Sequence, residues 1–80
     1  MIRVELAPNP DEGWRVAIDY GEAASHTFFK TKFFALLYAR GEAKKIHRQT
    51  GRTVSLKIKK KDGRYQEERT YGPDPAETRG

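Results

Sequence analysis

The chain contains no cysteine, which excludes disulfide cross-links and thiolate metal sites. It also has no secretory core segment and no apolar run long enough to span a bilayer, so a cytoplasmic protein without membrane attachment is expected. Glycines such as Gly21, Gly41 and Gly51 are isolated, and none completes a phosphate-cradling loop or a dinucleotide fingerprint. His26 and His47 lie in different segments, with no nucleophile or ligand spacing around them. Glu67 and Glu68 are adjacent on a strand pattern and point to opposite faces, so they do not form a general acid and base pair. The sequence therefore predicts a non-enzymatic protein with no cofactor and no metal.

Eighty residues specify one domain, close to the size at which a single core is only just sufficient. Domains this small often gain stability by association. What the chain does have is positive charge, and it is unevenly placed. Residues 1–29 carry two Lys/Arg against five Asp/Glu, a balance of −3. Residues 30–64 carry twelve against two, +10, and residues 65–80 carry two against four, −2. A block at +10 suits a polyanionic partner. Part of it has a simpler explanation: Lys44, Lys45, His47 and Arg48 sit where the C-terminal end of a helix favours cations.

"MIRVELA" alternates Ile2, Val4 and Leu6 against Arg3 and Glu5. "WRVAIDY" places Trp14, Val16, Ile18 and Tyr20 inward, with Arg15, Ala17 and Asp19 outward. Both are period-two strands with one buried face, joined by the turn chemistry of "PNPDEG". "GEAASHTFF" reads as a crossing loop that pairs briefly at Thr27–Phe29. A helix follows to Thr50, with Thr31 as N-cap and Gly51 as the left-handed residue after its end. "TVSLKIKK" alternates again, Asp62-Gly63 marks a hairpin, and "RYQEERTY" is the last strand. The expected architecture is α+β: ββαββ, a four-stranded antiparallel sheet with one helix on one face. The domain spans residues 1–72, followed by a Pro-containing tail at 73–80.

The helix carries two apolar sectors. Ala35, Leu36, Ala39, Ala43 and Ile46 form a core-facing stripe. Phe33, Phe34, Leu37, Tyr38 and Gly41 form another, which requires a cover: the loop "GEAASHTFF", a second copy in a homo-oligomer (a dimer being favoured), or a protein partner.

Three elements carry a resemblance: Trp14 with Val16; Thr31 and Lys32 opening a helix with Ala35, Ala39 and Ala43; and Asp62, Gly63, Arg64, Gln66, Tyr71, Gly72, Asp74 and Pro75. In these the chain resembles domain-of-unknown-function family 2188, small proteins of bacteria, archaea and phages. The resemblance implies a short ββαββ-type fold and no particular activity. Phe33, Phe34, Leu37 and Tyr38 depart from the small or polar residues usual in that family, which points to a contact peculiar to this chain.

If the helix covers one sheet face, the other presents Arg3, Arg15, Lys57, Lys59, Lys61 and Arg64. Such a face suits DNA or RNA phosphates, bound with strong salt dependence and little sequence preference. Whether it also has an aromatic platform depends on the hairpin loop. A two- or four-residue loop keeps Tyr65 and Tyr71 on the inner face, and turns Glu67 and Arg69 inward as well. A three-residue loop with a bulge at Gly63 turns both tyrosines outward among the lysines. The even loop is expected, because it keeps the tyrosines in the apolar set. The competing function is a regulatory or protein-interaction module that uses the helix sector and no nucleic acid.

Overall fold

The computed structural model describes residues 1–72; the expected tail at 73–80 lies outside the described residues. The elements are β1 (Ile2–Pro8), β2 (Trp14–Asp19), β3 (Ala24–Phe29), α1 (Lys32–Thr50), β4 (Val54–Lys59) and β5 (Tyr65–Tyr71). They build a five-stranded mixed sheet in the order β3-β2-β1-β4-β5, with α1 packed on one face.

Two expectations are corrected, and they share one cause. The segment after Gly21 is a full edge strand paired with β2 from Ala24↔Asp19 to Phe29↔Trp14. The pairing expected at Thr27–Phe29 is present and extends back to Ala24; the earlier part of the strand has no buried face to impose alternation. The extra strand reverses the chain direction once more before the helix. A helix that returns the chain across a sheet leaves the next strand parallel to the preceding one. β4 is therefore parallel to β3, and so to β1, with which it pairs from Ile2↔Val54 to Leu6↔Ile58. Without β3 the same rule gives the all-antiparallel sheet that was expected. The other pairs, β1–β2, β2–β3 and β4–β5, are antiparallel.

The core is built from Ile2, Val4 and Leu6, from Trp14, Val16 and Ile18, and from Val54, Leu56 and Ile58, all on the helix side. Tyr20, expected with them, falls beyond the end of β2 and is exposed. Opposite these side chains α1 buries Ala35, Ala39, Ala43 and Ile46. Three alanines let the helix backbone approach a sheet that supplies nearly all of the bulk.

The caps are those expected. Thr31 is extended (φ −121°, ψ 149°) and accepts at its hydroxyl from the Phe34 N–H at 3.5 Å. Gly51 is left-handed (φ 73°) and donates its N–H to the His47 carbonyl at 2.8 Å.

Candidate nucleic-acid interface

The β4–β5 hairpin decides what the open face of the sheet contains. The Lys60 N–H donates to the Arg64 carbonyl at 2.7 Å, and the Gly63 N–H donates to the Lys60 carbonyl at 3.0 Å. Gly63 has φ 91°, and the Arg64 N–H donates to Asp62 Oδ1 at 2.9 Å. This is a turn closed over Lys61-Asp62-Gly63 with a glycine bulge, the odd loop, not the even loop expected from keeping both tyrosines buried.

Tyr65 accordingly sits opposite Lys59 on the open face, which corrects its expected inward position. A second irregularity follows at once, because Ile58 pairs with Glu67 and Gln66 is left over. That bulge restores the parity. Glu67 and Arg69 point to the helix side as expected, and Tyr71 packs against the core.

The polar residues at the second bulge have partners on the helix. Lys32 Nζ donates to Gln66 Oε1, and Arg40 forms an ion pair with Glu67 at 2.9 Å. Arg69 lies over the Tyr71 ring, 5.9 Å from its centroid. Gln66 and Glu67 thus tie the edge of the sheet to α1.

The outward side chains form three rows across the strands. The first runs Ala24, Asp19, Arg3, Ser55, Thr70. The second runs His26, Ala17, Glu5, Lys57, Glu68. In the third, Phe28 is opposite Arg15, Arg15 is opposite Ala7, and Lys59 is opposite Tyr65. One step beyond the Leu6↔Ile58 pair, Ala7 and Lys59 adjoin and close that row.

The rows differ in charge balance. Arg3 has Asp19 as its cross-strand neighbour, and Lys57 stands between Glu5 and Glu68. Arg15 and Lys59 have no carboxylate in their row. Lys60, Lys61 and Arg64 continue from Lys59 into the turn. Lys59, Lys60 and Lys61 line a groove of about 740 Å³ with Arg15, and Glu5, Asp11 and Glu12 line it as well. A second groove, of about 810 Å³, crosses the first two rows, over Arg3, Glu5, Asp19, His26 and Lys57.

Tyr65 is held in place by its surroundings. Its hydroxyl donates to Glu5 Oε2 at 3.1 Å. Lys57 Nζ and Lys59 Nζ lie 5.3 and 5.7 Å from its ring centroid, within cation–π range. The hydrogen bond to Glu5, with the Glu5 charge second, raises the phenol pKa above its ordinary value. Tyr65 remains 43% exposed, and Phe28 at the other end of the row is 61% exposed. Phe28 was missed with β3, although the Phe28-Phe29 pair is itself the signal: one aromatic goes to each face of a strand.

Of the six basic residues expected on this surface, Arg3, Arg15, Lys57 and Lys59 share the open face, and Lys61 and Arg64 occupy the adjoining turn. On the helix, Tyr38 meets Phe29 at 5.2 Å between ring centroids and is half-buried. Phe33, Phe34 and Leu37 stay 63%, 59% and 57% exposed, and Gly41 is exposed beside them. The segment expected as a possible cover forms β3 instead, and its Phe29 meets Tyr38. His26 is on the open face, whereas His47 Nδ1 lies 2.9 Å from the Arg52 carbonyl. Among the described residues no group of three or more His, Cys, Asp or Glu side chains is placed to hold a metal ion.

No helix among the described residues is long and apolar enough to cross a membrane. No curated protein and no solved structure is similar enough to the chain to count as a match. A family model does match, over residues 3–71, from the second residue of β1 to the end of β5. The chain belongs to the family described as an uncharacterized protein conserved in bacteria, DUF2188.

Proposed function

We propose that the protein binds single-stranded nucleic acid across the open face of its sheet, largely without sequence preference. The observation that carries this reading is the third row, in which Arg15 and Lys59 lie between two outward aromatics, Phe28 and Tyr65. Four strand spacings of about 4.8 Å separate the ends of the row by roughly 19 Å. Bases stack on the aromatic ends, while Arg15, Lys59, Lys61 and Arg64 neutralise phosphates. Arg3 and Lys57 contribute less, because neighbouring carboxylates already offset them. The chain acts as a homo-oligomer, which brings more than one such face to the same strand and raises avidity.

The test is a set of affinity measurements on single- and double-stranded DNA and RNA across a salt series. Single strands are expected to bind at low salt, with affinity falling steeply as salt rises. Lys59→Gln and Arg15→Gln are expected to weaken binding more than Arg3→Gln. Absence of binding at low salt, or equal binding by all three variants and the parent, rejects the reading.

A second reading rests on the exposed Phe33, Phe34 and Leu37. A protein partner packs on the outward face of α1, and Gly41 permits close approach of its backbone. In that case nucleic acid is not bound at any salt concentration, and the function lies in regulation through the helix.

A further inference from the structure

The two edges of the sheet are built differently. β5 is a guarded edge: it carries Glu67, Glu68 and Arg69 and is interrupted by the bulge at Gln66. Bulges and charges are the usual means of stopping an edge from pairing with another chain. β3 has neither. Its six residues, Ala24-Ser25-His26-Thr27-Phe28-Phe29, include no Lys, Arg, Asp, Glu or Pro, and its pairing with β2 has no irregularity. Apolar surface flanks it on both sides. Phe28 stands exposed on the open face. On the helix side Tyr38 touches Phe29, and Phe34, one turn earlier on the same side of α1, is exposed.

We infer that β3 pairs antiparallel with β3 of a second copy, joining two five-stranded sheets into one of ten strands. The sequence around β3 is self-complementary in one register. With His26 opposite its own counterpart at the two-fold axis, Ala24 faces Phe28 and Ser25 faces Thr27. Each face of the strand then continues into the same face of its partner. Carried past the strand ends, this register sets Glu22 of each copy beside Lys30 of the other. The N-terminal end of β3 is acidic, with Asp19 and Glu22, and the C-terminal end is basic, with Arg15 and Lys30. Antiparallel association is the arrangement that brings opposite charges together at both ends. That complementarity selects a second copy over an unrelated strand.

Both helices lie on one side of the joined sheet, and the two open faces become one continuous surface. The inference assigns the homo-oligomer of the proposed function to β3 rather than to the outward face of α1. It does not depend on nucleic acid being bound.

Light scattering on the full chain across a concentration series, without nucleic acid, provides the test. A dimer of twice 9.2 kDa is expected. His26→Lys, at an exposed position, should leave the protein folded by circular dichroism and yield a monomer, because two ammonium groups then meet at the axis. Glu22→Lys and Lys30→Glu should each raise the dimer dissociation constant about two- to thirtyfold, and the double variant should restore it. Leu37→Asp should leave the dimer intact. A parent protein that is monomeric throughout, a dimer that survives His26→Lys, single reversals without effect, or a dimer lost in Leu37→Asp would each overturn the inference.

Discussion

The two faces of the sheet are made by the same strands, residue by residue, and obey different rules. On the covered face β1, β2 and β4 each bury three large apolar residues, and the helix answers with three alanines and Ile46. Shape decides there, since both partners are fully desolvated. On the open face the same strands carry arginine, lysine, carboxylate, serine and alanine, and the aromatics Phe28 and Tyr65 stand on the two edge strands. What the contrast teaches is that the fold is specified by one face, which leaves the other free to carry recognition.

That separation is broken most severely from the covered side. Leu56 is fully buried between strand and helix, so Leu56→Ala is expected to destabilise the domain by about 2–5 kcal/mol in thermal or denaturant unfolding. For a domain of this size that is a large share of the total. The fraction still folded should keep its affinity for single strands, because the open face is untouched.

The reverse experiment changes the open face and leaves the core intact. Tyr65→Ala is expected to weaken single-strand binding by about 1–3 kcal/mol, the usual range for one stacked base. Tyr65→Phe should retain most of the affinity. Smaller again is the effect of one cation. Lys59→Gln should reduce the slope of log affinity against log salt by about 0.7, with Arg3→Gln giving a smaller change because Asp19 is its neighbour. For Lys59→Gln and Arg3→Gln the unfolding midpoint serves as the control and should scarcely move, and the affinity of Tyr65→Ala is measured where that variant is fully folded.

The smallest effect concerns a single proton. Glu5 holds Tyr65 protonated beyond the ordinary tyrosine range. A raised phenol pKa contributes stability that is fully present below the unfolded value and is lost as pH rises through the folded one. Spectrophotometric titration should show one tyrosine ionising late, and Glu5→Gln should bring it back toward the ordinary range.

Much of the covered face was legible from alternation alone. Ile2, Val4 and Leu6, Trp14, Val16 and Ile18, and Val54, Leu56 and Ile58 all stand where a period of two places them. Thr31 and Gly51 bound the helix as their side-chain and backbone preferences require. β3 was legible only at Thr27–Phe29, because an edge strand buries too little to be patterned, and the parallel β1–β4 pair was lost with it. The hairpin was misread for a related reason. The expectation that tyrosines go inside outweighed the local chemistry of Lys60-Lys61-Asp62-Gly63-Arg64, in which Asp62 caps the turn and Gly63 takes the left-handed position. The second bulge, at Gln66, depends on Lys32 and Arg40, residues far away in sequence. No reading of the hairpin by itself reveals it.

On the open side, the four cations of the sheet were found by the same alternation. The cross-strand neighbourhood of Lys57 and Glu68 follows from the hairpin and is present, whereas Asp19 becomes the neighbour of Arg3 only through the β1–β2 register.

The most direct test is amide and side-chain chemical-shift mapping by NMR while a short single-stranded oligonucleotide is added at low salt. The account predicts shifts concentrated on the third row and its turn, at Phe28, Arg15, Lys59, Lys61, Arg64 and Tyr65, with Phe33 and Leu37 unmoved. Shifts confined to the outward face of α1, or no shifts at all, would contradict it.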